Sequence, residues 1–177
     1  KDRLKATPLV VTLPIGAEAD LAGVVDVIQQ KAYRFPAEEN GEKTYGTVIV
    51  EEEVPADMLD AVEAARSELL ESVAETDEDL LEKYLGGEEL TIDEIKGAIR
   101  KLTIAGDAYP VFCGSAYKNI GVQMMLDGVI DYLPSPLDVP AIEGFKPGDE
   151  STTVERHPDT DEPMAALAFK IAADPHL

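Results

Sequence analysis

The chain has 177 residues, 36 acidic against 15 basic, and a formal charge of −21. With 45% hydrophobic and 29% charged residues it is a globular sequence, not a disordered one, and its length fits one domain plus a piece of another. The charge argues against binding to a phosphate backbone as its main task, which needs clustered Lys and Arg, and an anionic membrane surface would repel it.

A single Cys excludes an intramolecular disulfide and a multi-Cys zinc site, and fits a reducing cytosol. No apolar run approaches the roughly 18 residues that span a bilayer. Lys1-Asp2-Arg3-Leu4-Lys5 leads into no apolar stretch with a cleavage site, so no signal peptide is predicted. Position 1 is not Met, and the chain stops at Ala172-Ala173-Asp174-Pro175-His176-Leu177 directly after a strand-like run. Both features predict a piece of something longer.

The first third predicts strands. Leu9-Val10-Val11-Thr12-Leu13 is β-rich and closed by Pro14 and Gly16. Gly23 to Ile28 follows, and Lys31 to Phe35 continues the same ribbon. A loop at 36–41 then separates these from Tyr45 to Val50, which suggests an antiparallel hairpin.

The middle third predicts helices. Pro55 suits a first helical turn, and Met58, Val62, Ala65, Leu69 and Val73 form one apolar stripe. Thr76 with Asp79 resembles a capping box for a short helix that ends at Gly86-Gly87. Thr91 with Glu94 is a second such box, opening a helix whose Ile92, Ile95, Ile99 and Leu102 share a face. Most surplus negative charge lies opposite these stripes.

The last third predicts an apolar strand, Ala108 to Cys113, a break at Gly114, and an amphipathic helix. Val122, Met125, Leu126, Val129, Ile130 and Leu133 mark that helix, and Pro134 and Pro136 stop it. Strand, loop and helix in that order form an α/β unit with a possible ligand loop at the strand's carboxyl end. Residues 137–163 look like a linker, and Ala165 to Ile171 like the first strand of another domain.

Most candidate motifs have bland explanations. Gly41 and Gly46 have P-loop spacing, but Thr47-Val48 follows where Lys-Ser is needed, so a hairpin loop is the expectation. Asp20-Leu21-Ala22-Gly23 fits the short Asp-x-x-Gly of GTPase switches, a pattern frequent by chance. The acidic runs Glu51-Glu52-Glu53, Asp77-Glu78-Asp79 and Glu88-Glu89 suit solvated helix and strand ends, or a partner-binding acidic surface. His157 and His176 show no ligand spacing, and Cys113 reads as a packed thiol. No catalytic or metal-binding residue is predicted. Small residues in Cys113-Gly114-Ser115-Ala116-Tyr117-Lys118-Asn119 would let backbone N–H groups approach a planar ligand.

Val111 to Asn119, then Gly121-Val122-Gln123, then Leu126 to Pro136 resemble bacterial elongation factor G. So do Ile15-Gly16-Ala17-Glu18, Gly23-Val24-Val25-Asp26, Lys83 to Leu90 and Ala168-Phe169-Lys170-Ile171. The resemblance runs through essentially the whole chain in order. It implies an α/β fold: the C-terminal part of a P-loop-type GTPase domain carrying an α+β insert, then the first strand of a β-barrel domain. Residues 1–17 would be a G-domain strand and its flank, 18–105 the insert, and 106–140 the end of the G domain with its guanine loop and last helix. Residues 141–163 would be a linker and 164–177 the start of the second domain.

By the same resemblance, Ser115, Ala116 and Tyr117 match the guanine-binding motif whose backbone N–H groups hold the guanine carbonyl oxygen. An adenine amino group would face those donors and be rejected. The intact family member is a cytoplasmic, ribosome-dependent GTPase that drives tRNA–mRNA translocation. It uses GTP or GDP with Mg2+, meets the ribosomal stalk protein through the insert, and meets ribosomal RNA through other domains. The P-loop and switches lie outside this segment, so the segment alone is expected to be monomeric, to hydrolyse no GTP and to bind no nucleotide tightly. Relatives such as release factor three or a ribosomal protection protein share these features, and a stand-alone acidic interaction domain is the alternative of another class.

Overall fold

The computed structural model describes residues 5–172 and is a mixed α/β structure. Its strands are β1 (Pro8–Val10), β2 (Thr12–Ile15), β3 (Gly23–Asp26), β4 (Lys31–Arg34), β5 (Glu38–Glu39), β6 (Glu42–Lys43) and β7 (Val50–Glu53). Next come α1 (Leu59–Ala74), α2 (Glu78–Leu85), α3 (Ile92–Ala105), β8 (Tyr109–Val111) and α4 (Val122–Tyr132), then β9 (Ile142–Lys146) and β10 (Asp149–Arg156). The chain divides into two compact units, Lys1–Leu133 and Pro134–Leu177.

In the first unit the expected strand 9–13 proves to be two. β1 pairs in parallel with β8, whereas β2 pairs antiparallel with β3 as the edge of a four-stranded sheet ordered β2-β3-β4-β7. The chain changes sheets at Val11, whose N–H donates to the Val111 carbonyl at 3.0 Å while its own carbonyl accepts from Val27 N–H at 2.9 Å. The antiparallel sheet thus begins inside the segment 1–17. Pro14 lies within β2 instead of closing it, and an edge strand tolerates a residue without an N–H.

The loop expected at 36–41 contains its own small hairpin, β5 with β6, around Asn40 and Gly41. Both have positive φ, 53° and 84°, the geometry a two-residue Asn-Gly turn adopts. Tyr45 and Gly46 also turn left-handed, at φ 51° and 75°, so the strand expected at 45–50 starts only at Val50. β7 then pairs antiparallel with β4, as a hairpin partner should. Its acidic run faces solvent, with Lys31–Glu53 at 2.5 Å and Arg34–Glu52 at 2.9 Å across the strands.

The α1 and α3 helices bury their apolar stripes except at Ile92, whereas Met125, Leu126, Val129, Ile130 and Leu133 of the last expected stripe are exposed. Val62, Leu69 and Val73 of α1 are buried, as are Ile95, Ala98 and Ile99 of α3. Leu69 and Val73 join the three α3 residues, Leu9, Val27 and Ile28 in one core. Arg66 secures α1 to the β3–β4 turn by donating to the carbonyls of Val27 and Ile28. Arg100 caps α4 by donating to the carbonyls of Asp131 and Leu133, and Lys96 pairs with Asp131 at 2.8 Å. The Thr91–Glu94 capping box forms. Lys83, with the Thr91 donors, holds the Glu94 carboxyl down to about 2. The other box does not form. Asp77 caps α2 by accepting the Asp79 N–H at 3.1 Å, because the Thr76 hydroxyl is already bonded to the Val73 carbonyl at the end of α1.

Two helical glycines differ in surroundings and should differ in sign when replaced by Ala. Gly97 in α3 has open space around its Cβ position, so Gly97→Ala should gain up to about 1 kcal/mol of helix propensity. A Cβ on Gly128 in α4 would lie 2.4 Å from the Phe112 ring, which packs against the core. Overpacking of this kind costs about 1–3 kcal/mol, so Gly128→Ala should lower stability. Urea unfolding of both variants checks the opposite signs.

The second unit holds a β9–β10 hairpin where a linker was expected. The Pro147-Gly148 turn, with Gly148 at φ 81°, reverses the chain. Asp149 then accepts from Ser151 and Thr152 at the irregular start of β10. Both strands are mostly exposed, which is why their sequence is too polar to look like strands. Conversely, Ala165 to Ile171 forms no strand despite its apolar composition, since no neighbouring strand among the described residues supplies ladder partners. Its Leu167, Phe169 and Ile171 are exposed.

Candidate functional site

The run from β8 to α4 builds a loop whose geometry suits a ligand. β8 lies parallel to β1, and the loop leaves its carboxyl end, the usual ligand side of an α/β unit. Ser115 and Ile120 close the loop's neck, with Ser115 N–H to Ile120 carbonyl at 2.9 Å and Ile120 N–H to Ser115 carbonyl at 3.0 Å. Inside that neck, Asn119 N–H donates to the Ala116 carbonyl at 3.2 Å, and Lys118 N–H donates to the Ser115 Oγ at 3.3 Å. The neck is tight because Gly114 has no side chain: a Cβ there would lie 2.5 Å from the Ile120 carbonyl oxygen.

This arrangement brings Ser115, Ala116 and Tyr117 into a single turn. Ala116 and Tyr117 are exposed, Tyr117 completely, and neither N–H donates to another group among the described residues. Two adjacent, unengaged backbone donors on a constrained turn are available to an acceptor oxygen of a ligand.

The sequence did not assign the residues that hold this turn. Thr12, buried where β2 begins, accepts the Cys113 N–H on Oγ1 at 2.8 Å and touches the Cys113 Sγ at 3.4 Å. Lys118 donates to the carbonyls of Glu18, Ala19 and Leu21 at 3.2, 2.5 and 3.5 Å. Asn119 donates to the Tyr45 carbonyl at 2.7 Å and Gln123 to that of Gly46 at 2.9 Å. The available signal was weak: polar residues in a turn, opposite a Tyr-Gly pair forced into positive φ. Beside the turn lies a cleft of 860 Å³, lined among others by Arg34, Phe35, Lys43, Tyr45 and Tyr117.

The other candidates fall elsewhere. Gly41 belongs to the β5–β6 turn and Gly46 packs on Asn119, so the pair forms no phosphate cradle. Gly23 lies in β3, where a Cβ would strike the Tyr33 carbonyl. Burial pushes the Cys113 thiol up, the wrong direction for a nucleophile. His157 is exposed beside Glu155, and His176 lies outside the described residues. No group of three or more His, Cys, Asp or Glu among the described residues fits a metal ion. No helix among them is long and apolar enough to cross a membrane.

A crystal structure of a protein from Thermus thermophilus is similar to this chain. The two share 38% identity with a TM-score of 0.60, over 76% of this chain and 20% of that one. The chain therefore spans 20% of the length of the solved structure it matches. No protein-family model matches the sequence.

Proposed function

We propose that this chain is part of a ribosome-dependent translational GTPase of the elongation factor G type, with the Ser115–Tyr117 turn as its guanine reader. The observation that carries the reading is the pair of unengaged N–H groups at Ala116 and Tyr117, fixed at the carboxyl end of β8. Donors there bind the guanine carbonyl oxygen and oppose the amino group of adenine. Specificity of this sort is high, because a mismatched base leaves buried polar groups unpaired.

One further observation supports a larger GTPase domain. Tyr109 and Val111 on β8, with Met125, Leu126, Val129 and Ile130 on α4, are exposed. An apolar strip of this kind is what further strands and helices of the same domain would cover. It disfavours the stand-alone interaction domain. On this reading β2 through α3 form the insert, and the second unit opens the β-barrel domain.

Phosphoryl transfer needs a phosphate cradle, Mg2+ and an oriented water. The residues of this chain do not fit those groups, since Thr47-Val48 stands where a P-loop needs Lys-Ser. The rest of the factor would supply them, and no step of the reaction runs through this segment. Its own contribution is base selection and, through the insert, an acidic contact with the ribosomal stalk protein.

Asp60, Glu63, Glu68 and Glu71 are exposed on α1, away from the buried Val62, Leu69 and Val73. Rim charges act mainly on association rates and their salt dependence, whereas exposed substitutions shift stability by only about 0.5 kcal/mol. Changing all four to Lys in the complete factor should slow ribosome-stimulated GTP turnover, most at low salt. Intrinsic turnover and melting temperature should hold. Stopped-flow rates equal to the parent at every ionic strength would remove the stalk contact from this helix. A complete factor with no ribosome-stimulated turnover at all would defeat the functional reading.

A further inference from the structure

We propose that Lys118 is a positioning residue for the base-reading turn, fastening it to the antiparallel subdomain so that the two hold one geometry together. The inference deepens the guanine-reading proposal and rests on it. An ammonium group has three donors and no acceptor, and Lys118 directs its donors at the carbonyls of Glu18, Ala19 and Leu21. Those carbonyls belong to the short 3-10 turn between β2 and β3 and the residue that ends it, far away in sequence, and the side chain reaches them across the neck of the loop. Its neighbours Asn119 and Gln123 donate to the carbonyls of Tyr45 and Gly46 in the loop before β7. Two loops of the subdomain are thereby tied to one turn.

The alternative use of Lys118 would be an ion pair, and the chain offers acids in excess. Among the described residues Lys118 has no carboxylate partner; it caps main-chain oxygens, as Arg66 and Arg100 do at the ends of other elements. Those two hold helices in place. Lys118 holds the segment that presents the Ala116 and Tyr117 donors. The approach is close on the other side as well, because a Cβ on Gly46 would lie 2.3 Å from the Asn119 carbonyl oxygen. The turn has therefore little freedom to tilt while both tethers are made. With Lys118 removed, one tether is lost, and the donors are presented over a wider range of orientations at the same covalent structure.

The test has two arms. Hydrogen exchange on this chain compares the parent with Lys118→Met, which keeps the apolar stem and loses the donors. Exchange at the Ser115, Asn119 and Ile120 amides should accelerate about tenfold or more, the size expected for losing charged hydrogen bonds. The α3 amides should keep their protection and so report an intact fold. Asn119→Asp, which removes the donor to Tyr45 while suiting positive φ, should act in the same direction. Lys43→Met, in the same cleft, should leave these amides at parental rates. Parental exchange in Lys118→Met would overturn the proposal.

The second arm measures GDP against ADP affinity in the complete factor. Lys118→Met should lower that selectivity about tenfold by raising the GDP dissociation rate, with ADP affinity unchanged. If Ala116→Pro reduces selectivity and Lys118→Met does not, the guanine reading stands and the positioning role fails. If neither variant reduces it, the guanine reading itself fails and takes this inference with it.

Discussion

Replacing Ala116 by Pro in the complete factor should weaken GDP binding by about 1–3 kcal/mol, the cost of leaving a buried acceptor unpaired. That range is roughly a fivefold to 150-fold loss of affinity. Pro removes the backbone donor at the centre of the proposed site. The fold around it should tolerate the substitution. Ala116 is exposed, its N–H has no partner among the described residues, and the preceding Ser115 lies in an extended bridge to Ile120. An extended residue is what Pro requires before it. Stability should therefore change little while GDP affinity falls and ADP affinity holds. Ser115→Ala is the milder control, since it leaves both backbone donors and loses only the Oγ that accepts from Lys118 N–H. Calorimetric titration of both nucleotides decides the matter: undiminished GDP affinity in the Pro variant would mean that another segment reads the base.

The sequence was most legible where one apolar face meets one core. The α1 stripe, the α3 stripe apart from the exposed Ile92, and the Thr91–Glu94 box depend on local spacing and stand in the structure. The order β8, loop, α4 stands as well, but most of the α4 stripe is exposed and meets no core among the described residues. The failures share a cause, which is that partner choice is not local. Nothing in Leu9 to Leu13 says that half of the run pairs with β8 and half with β3; that depends on strands elsewhere in the chain, one near and one far. The β9–β10 hairpin was hidden because neither strand buries a full face, and Ala165 to Ile171 was overestimated because composition does not provide a neighbour. The Asn40-Gly41 turn, by contrast, is a local signal, since both residues take the positive φ that this pair favours.

The candidate site divides along the same line. Ser115, Ala116 and Tyr117 are contiguous, so a resemblance to one short motif was enough to single them out, where small residues after a strand only allow close backbone approach. Lys118, Asn119 and Gln123 lie in the same stretch, but their partners are carbonyls of residues 18–21 and 45–46. A carbonyl is present at every position and carries no residue-type signal. Side chains that act on backbone oxygens are therefore the ones a sequence conceals, and this acidic chain uses several of its few cations in that way.

Thr12 is concealed in the same way, its partner being a backbone N–H, and Thr12→Val should cost about 1–3 kcal/mol of stability by stranding that Cys113 donor. The two side chains have nearly the same volume, so packing changes little and the lost acceptor dominates. Thr12 is 4% exposed and stands where the chain passes from the parallel pair to the antiparallel sheet. Its Oγ1 accepts from the Cys113 N–H, two residues before Ser115. No other hydrogen bond is made by that amide among the described residues. Thr12→Ser keeps the acceptor and loses one methyl, worth about 0.8 kcal/mol, so it should be the less damaging change. Urea unfolding with an unchanged m-value would show that the loss lies in the native state. In the complete factor Thr12→Val should also speed GDP release, because the slackened junction feeds directly into Gly114 and Ser115. If Val proves as stable as Thr while Ser is the weaker variant, the methyl and not the hydroxyl is what position 12 requires.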